Sequence, residues 1–138
     1  DLFKSDFVST RIKEITALER QLDQEDRFKE HILGVFDAKR GVHSALVNWR
    51  LFQNISVIEF IDAIGVNDLR MLMKYFIRHL DSRRKGFPDL FLTYPNGKYE
   101  FVEVKGPGDQ LSLSQRVWLQ KLESMSIASR VVKVTLSP

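Results

Sequence analysis

The sequence contains no cysteine, which excludes disulfide bonds and zinc sites built from thiolates. Its three histidines, His31, His43 and His79, are widely spaced along the chain, so no local histidine pair marks a metal site. It also has no apolar run near the roughly 20 residues that a membrane-spanning helix needs, and no signal-peptide pattern. We therefore expect an intracellular protein with no membrane partner.

Hydrophobic residues make up 43% of the 138-residue chain, which indicates a globular protein with a core of its own. The chain starts at Asp1 without a methionine, and we expect it to be a piece of a longer protein. The net charge of +3 is uneven: residues 1–65 carry nine Lys/Arg against eleven Asp/Glu, and residues 66–138 carry twelve against seven. The excess of positive charge suits a phosphate-bearing partner, although an ordinary soluble surface explains it equally well.

Apolar spacing predicts a helical N-terminal half. Stripes along residues 7–22 and 28–36 follow the helical period, and the charges between them, Glu19 included, are interpreted as a solvated face. Residues 56–59 have the sequence of a capping box, which predicts a short helix that ends near residue 65.

Residues 86–119 have the pattern of a metal-dependent site that cleaves phosphodiester bonds. Asp89 enters one predicted strand, and Glu103 and Lys105 share a face of the next because strand side chains alternate. The two carboxylates and the backbone carbonyl of Val104 are oxygen ligands that suit Mg²⁺ or Mn²⁺. Lys105 would place an ammonium beside the attacking water or the phosphate. The alternative is a pair of strands with incidental charges.

The metal site restricts the hairpin that joins the two strands. A two-residue turn would send Asp89 and Glu103 to opposite faces of the sheet and dismantle the site. A three-residue loop over residues 95–97 instead sets the two carboxylates opposite each other, and its Pro, Asn and Gly suit a type I turn closed by a left-handed glycine. We therefore predict that residues 89–94 pair with residues 99–105 through this loop.

The motif residues resemble a known family. Residues 103–109 read EVKGPGD and are followed by LS at 111–112, by Gln115 and by a Trp-Leu pair at 118–119. This string resembles the VRR-NUC branch of the PD-(D/E)xK nucleases, and within it most closely the Fanconi-associated nucleases. The resemblance implies a restriction-endonuclease-like α/β fold, a small mixed sheet with flanking helices.

The resemblance also implies the function. It indicates a structure-specific DNA nuclease, a 5′ flap endonuclease or 5′–3′ exonuclease in DNA repair, including interstrand crosslink repair. Branched or flapped DNA and other repair proteins would be its partners. Its compartment would be the nucleus in a eukaryote, or the cytoplasm and nucleoid in a bacterium. The rival functions are a non-catalytic module that binds branched DNA, and a stand-alone junction resolvase of the same fold.

Two departures from the family are visible. The family has a further metal-binding glutamate on a helix upstream of the segment that matches residues 1–3, so we expect the site within this chain to be incomplete and its isolated activity to be poor. Some relatives have an arginine where this chain has Gln110, which leaves a phosphate contact there in doubt. Residues 1–65 are expected to form a helical part, and residues 66–138 the nuclease core, of one compact domain.

Cations near the motif are candidate DNA contacts. Arg83, Arg84 and Lys85 lead directly to Asp89, and we expect them to contact phosphates. For Gln115 two roles stay open, a part in organising the site, as the resemblance implies, or a helix cap.

Two further segments complete the predictions. Residues 67 or 68 are expected to cap a helix whose cations, at four-residue spacing, either face DNA or form a solvated ridge: Arg70, Lys74 and Arg78. Trp118 is interpreted as a core residue, and residues 130–136 as a strand that extends the sheet.

Overall fold

The computed structural model describes residues 4–24, 27–44, 47–53 and 56–135. These residues form a mixed α/β fold in which helices flank a three-stranded sheet. The strands, in their order across the sheet, are β1 (Leu90–Thr93), β2 (Tyr99–Lys105) and β3 (Ser129–Lys133). The predicted fold class is therefore confirmed. No helix in these described ranges is long and apolar enough to cross a membrane.

Helices dominate the N-terminal half, as predicted. They are α1 (Phe7–Thr10), α2 (Ile12–Gln24), α3 (Phe28–Lys39) and a short 3₁₀ helix (Trp49–Gln53). The first predicted helix is interrupted at Arg11, whose N–H bonds to the carbonyls of Phe7 and Val8. On α2 the buried side chains are Ile15, Glu19 and Leu22, so the interpretation of Glu19 as part of a solvated face is wrong.

Two helices meet at a single glycine in the middle of the chain. The first is α4 (Val57–Ile64), and Ser56 caps it by accepting a hydrogen bond from the N–H of Glu59. The next is α5 (Val66–Arg78), which follows directly after Gly65. The predicted cap at Asn67 or Asp68 is wrong, because the left-handed Gly65 already ends one helix and begins the other. Asp68 lies in the first turn of α5 and accepts a hydrogen bond from the hydroxyl of Tyr99 on β2.

The cations of α5 contact the N-terminal helices. Arg78 pairs with Glu19 on α2, and the Nζ of Lys74 lies 2.6 Å from Asp23 on the same helix. The guanidinium of Arg70 lies over the ring of Phe28 on α3, 4.7 Å from its centroid. The prediction left open a DNA-facing surface or a solvated ridge, and the structure shows instead that all three cations contact other helices while the Arg78 side chain stays 45% exposed.

The hairpin has the predicted register. Leu90 pairs with Val102 and Thr93 with Tyr99, so the loop between the strands is the predicted one at residues 95–97. The N–H of Tyr94 donates to the carbonyl of Lys98 over 2.9 Å, which closes the loop. Gly97 has φ +76, the left-handed conformation that the turn requires. The first strand is one residue shorter at each end than predicted.

The sheet continues through a helical crossover, and the core lies beneath that crossover. After β2 the chain forms α7 (Leu113–Ser124) and returns as β3, which pairs in parallel with β2. The predicted last strand over residues 130–136 is confirmed over 130–133; β3 starts one residue earlier, and residue 136 lies outside the described residues. The short helix α6 (Leu80–Arg83) precedes β1. Trp118 and Leu122 of α7 are 1% and 0% exposed and pack with Phe101 of β2. Trp118 is thus a core residue, as predicted, and the crossover is held against the face of the sheet that carries Glu103 and Lys105.

Candidate metal centre

Asp89 lies directly before β1 and bonds to the neighbouring strand. Its Oδ2 accepts a hydrogen bond of 2.9 Å from the backbone N–H of Val104. The register that pairs Leu90 with Val102 sets Asp89 opposite Glu103. The aspartate side chain is exposed, yet its position is defined by this bond to the backbone of the central strand.

The backbone carbonyl of Val104 lies on the same edge as Asp89. The carbonyl of Lys105 accepts a 2.8 Å bond from Val134 on the β3 side, and successive residues of a strand point their polar groups to opposite sides. The residue that the register sets opposite Val104 is Pro88, which has no N–H to donate. The Val104 carbonyl therefore has no ladder donor from β1 and is suited to bind a cation.

Glu103 is the most buried charged residue that the structure describes. Its side chain is 1% exposed, and its Oε1 contacts the Nζ of Lys105 at 2.8 Å and the amide of Gln115. Its Oε2 is buried and, within the described part of the chain, has no hydrogen-bond partner. Burying an unsatisfied carboxylate oxygen is costly, and a cation at this position would remove that cost. The donor set therefore fits a divalent metal.

Gln115 caps a helix and also contacts the candidate site, so the structure combines the two alternatives that the sequence left open. Its side-chain oxygen accepts from the N–H of Ser112, and Ser112 caps the N–H of Gln115 in return, which completes a capping box at the start of α7. The same oxygen accepts from the Nζ of Lys105 over 2.9 Å, while its nitrogen donates to Glu103. The cap of the crossover helix is therefore also the group that orients the buried acid and lysine.

The three cations before Asp89 differ in their surroundings. The guanidinium of Arg83 donates to the hydroxyl of Tyr75 over 3.0 Å, and its carbonyl accepts from the indole of Trp118. These bonds give Arg83 partners within the protein, and its contact with phosphate stays a prediction. The side chains of Arg84 and Lys85 are exposed beside it.

Sequence reasoning missed one residue of this site, Gly86. It has φ +85, and a Cβ added there would lie 2.7 Å from the carbonyl carbon of Ser114 and 2.8 Å from the nitrogen of Gln115. The available signal was a glycine directly before the Phe-Pro-Asp run at 87–89. A glycine there indicates either a turn or a close backbone approach, and the structure shows both.

This candidate centre has two carboxylates, those of Asp89 and Glu103. Within the described ranges, no group of three or more His, Cys, Asp or Glu side chains is arranged to hold a metal. Mg²⁺ accepts one or two carboxylates when waters and phosphate oxygens complete its octahedral shell. Asp89, Glu103 and the Val104 carbonyl can therefore hold such a cation, and further ligands would come from outside this set.

Comparison with known proteins places this chain in a nuclease family. The VRR-NUC domain model matches residues 23–136. The Fanconi-associated nuclease 1 homolog of Pseudomonas aeruginosa is 31% identical over 121 residues, which cover 87% of this chain and 22% of that protein. Fanconi-associated nuclease 1 of Danio rerio is 30% identical over 142 residues, which cover 98% of this chain and 14% of that protein.

Solved structures give the same result. Two crystal structures of paFAN1, bound to DNA with a gap and a 5′ flap of 2 nt or 1 nt, superpose with TM-scores of 0.82 and 0.85 at 28% identity. Each alignment covers 100% of this chain and 25% of the other. The chain thus spans a quarter or less of the length of these relatives.

Proposed function

Because the chain belongs to the VRR-NUC family, we propose that it is the metal-dependent nuclease module of a structure-specific DNA repair enzyme. It would hydrolyse phosphodiester bonds as a 5′ flap endonuclease or 5′–3′ exonuclease, with interstrand crosslink repair among its tasks. The observation that carries this proposal is the buried Oε2 of Glu103, which has no hydrogen-bond partner among the described residues, on a side chain paired with Lys105 and opposite Asp89 in the register. A structural ion pair would not leave that oxygen unsatisfied.

The chain offers Mg²⁺ or Mn²⁺ three oxygen donors, from Asp89, Glu103 and the Val104 carbonyl. When bound, the ion would polarise the phosphate and lower the pKa of an attacking water. Because Gln115 and Lys105 both contact Oε1 of Glu103, the free Oε2 is the atom offered to the ion.

The positive groups would bind and orient the DNA. Lys105 is held by Gln115, so its ammonium has a defined position from which to stabilise negative charge on the reacting phosphate. Arg84 and Lys85 would contact neighbouring phosphates without reading sequence. Gln110 offers no positive charge where some relatives have an arginine.

Branched DNA is the proposed substrate because the paFAN1 structures contain 5′ flap DNA. Those proteins are four times the length of this chain, so flap preference would depend on surfaces outside it. Other repair proteins are proposed partners through such surfaces. The proposed compartment is the one that holds the genome, which is the nucleus in a eukaryote and the nucleoid in a bacterium.

The proposal is tested by neutralising the two carboxylates. We expect Asp89→Asn and Glu103→Gln to abolish Mn²⁺ binding in calorimetry and to lower single-turnover flap cleavage about 100-fold or more. Glu100→Gln is the matched control, because Glu100 lies on the same strand and pairs with Arg130 on the other face of the sheet. Near-normal cleavage by either carboxamide variant would refute the assignment.

A non-catalytic module that binds branched DNA is the second candidate, and the count of two carboxylates favours it. The family resemblance implies a further glutamate upstream, so we expect a form extended at its N-terminus to bind Mn²⁺ more tightly and to cleave faster than residues 1–138 alone. If neither form cleaves flap DNA while both bind it, the non-catalytic function is correct. Equal cleavage by both would place the missing ligand within this chain, and Glu59 would be the first residue to test.

A further inference from the structure

We infer that Gly86 and Trp118 are positioning residues, which fix both halves of the metal centre by holding the segment 83–89 against the start of α7. This inference rests on the proposed nuclease function. It assigns to the crossover helix a second task, in addition to the contacts that Gln115 makes with Glu103 and Lys105.

The contact at Gly86 leaves no room for a side chain. Its Cβ would lie within 2.8 Å of two backbone atoms, the carbonyl carbon of Ser114 and the nitrogen of Gln115. Backbone atoms in the first turn of a helix cannot rotate away as the tip of a flexible side chain can. Any residue with a Cβ must therefore push the segment and the helix start apart.

Trp118, on the buried side of α7, contacts the same segment at two residues. Its indole N–H donates to the carbonyl of Arg83 over 3.0 Å, and its ring meets that of Phe87 edge to face with centroids 4.8 Å apart. Trp118 is 1% exposed, so its own side of both contacts is closed to solvent. The segment is thus held at residues 83, 86 and 87 before it reaches Asp89.

The held segment and the start of α7 each lead to one of the candidate metal-binding carboxylates. Asp89 follows the held segment and bonds to Val104, while Gln115 starts the helix and bonds to Glu103. A displacement at Gly86 would therefore move one carboxylate relative to the other. Metal sites are sensitive to such shifts, because outer contacts that orient ligands commonly change affinity 10–100-fold.

The hydrogen exchange of two backbone amides can be measured without bound metal and without a cleavage assay, and it reports on this geometry. The N–H of Val104 donates to Asp89 and that of Ser112 donates to Gln115, each over 2.9 Å. The N–H of Phe101 donates to Ala128 on the β3 side and serves as a reference for general opening of β2. Hydrogen exchange of these amides, measured by NMR on the 138-residue chain, separates local displacement from loss of stability.

The decisive variant is Gly86→Ala, and its matched control is Gly41→Ala. Gly41 has φ +79 with nothing within 4 Å of an added Cβ, so it has the same backbone strain without the clash. For Gly86→Ala we expect exchange at Val104 and Ser112 to rise about tenfold relative to Phe101, and Mn²⁺ affinity to fall about tenfold. The control should change neither quantity. A folded Gly86→Ala with unchanged exchange ratios and Mn²⁺ affinity would overturn the inference.

A milder variant covers the case in which Gly86→Ala does not fold. Phe87→Leu removes the ring contact with Trp118 at a residue that is 39% exposed, and it should shift the same two ratios in the same direction by a smaller amount. No shift there would also overturn the inference. If the wild-type chain and its extended form fail to bind Mn²⁺, the proposed function fails, whereas the exchange ratios still decide the positioning role.

Discussion

Both halves of the chain bury a glutamate, and the surroundings of the two carboxylates differ. Glu19 on α2 is 8% exposed, and each of its oxygens accepts a hydrogen bond from the guanidinium of Arg78. Glu103 on β2 is 1% exposed, and within the described residues one of its oxygens has no partner. The first arrangement is complete and joins two helices, whereas the second is incomplete and is suited to a ligand.

The contrast extends to the neighbouring cations. The hydrogen bonds from Arg78 hold the pKa of Glu19 below its ordinary value, against the opposing effect of desolvation. The pair therefore stays ionised and stabilises the packing of α2 on α5. At the candidate metal centre, Lys105 and Gln115 both contact a single oxygen of Glu103, and the other oxygen has no partner among the described residues. The buried glutamate of α2 thus joins two helices, whereas the buried glutamate of β2 keeps one oxygen that, among the described residues, is available to a ligand.

The strongest way to break this contrast is to remove one lysine from the helix interface and one from the candidate metal centre. Lys105→Ala should lower single-turnover cleavage by several kcal/mol of transition-state stabilisation, with each ~1.4 kcal/mol worth tenfold in rate. Lys74→Ala removes the cation that pairs with Asp23 on α2. It should leave cleavage unchanged, because that pair joins α5 to α2. Binding of DNA should change far less than the rate in both variants. Equal cleavage by the two variants would show that Lys105 contributes no more to cleavage than Lys74 does.

A substitution in the hairpin loop at residues 95–97 tests whether the pairing of β1 with β2 depends on this turn. Gly97→Val places a β-branched residue at φ +76, and we expect it to lower the free energy of unfolding by about 1–3 kcal/mol and to weaken Mn²⁺ binding. Thr93→Val, a β-branched replacement in the adjoining strand, is the control and should be nearly neutral. Urea unfolding measures the first effect and calorimetry the second. A fully stable Gly97→Val would show that the turn does not define the register.

The ion pair of the helical half should affect stability alone. Glu19→Gln should reduce the free energy of unfolding at neutral pH by about 1–2 kcal/mol, since it removes a partly exposed, charge-assisted pair. Because the folded pKa of Glu19 is lowered, its contribution is present above the unfolded value of 4.5 and is lost as pH falls through the folded pKa. The difference from wild type should therefore shrink in acid. The control Glu14→Gln, at an exposed position of α2, should leave the free energy of unfolding at neutral pH nearly unchanged. A large loss of Mn²⁺ affinity in Glu19→Gln would contradict the separation of roles.

The smallest expected effect concerns the exposed cations. Replacing Arg84 and Lys85 with glutamine should lower the slope of log K against log salt by about 0.9 for each lost phosphate contact, with no change in sequence preference. The matched control replaces Lys39 and Arg40, an adjacent exposed pair in the helical half. DNA titrations at several salt concentrations would compare the two. Equal slopes would assign Arg84 and Lys85 to an ordinary solvated surface.

Local signals predicted most of the sheet half. The Pro-Asn-Gly loop at 95–97 and the requirement that Asp89 face Glu103 together predicted the hairpin register. The capping-box spacing predicted the start of α7 at Ser112. Each signal depends on residues that are close in sequence, or on the alternation of a single strand, so little knowledge of distant packing was needed.

Contacts between distant residues could not be predicted in this way. The cations of α5 follow a helical spacing that suits a DNA-binding face, a solvated ridge or a helix interface, and only the position of α2 decides among them. The helix start at Val66 was missed because Asp68, a good capping residue, bonds to Tyr99 from a strand 31 residues away. The close approach of Gly86 to α7 has no sequence signal beyond the glycine itself.

The sequence by itself determined which groups are available, since carboxylate, carbonyl and ammonium groups at strand spacing suit a metal and a phosphate. The tertiary structure decided how complete the site is and what holds it. It showed one oxygen of Glu103 without a partner among the described residues, Gln115 both as a helix cap and in contact with Glu103 and Lys105, and the segment before Asp89 packed on the same helix. The physical reason is that residue types and short spacings define which interactions are available, whereas burial, and therefore which polar atoms are left unsatisfied, depends on the whole fold.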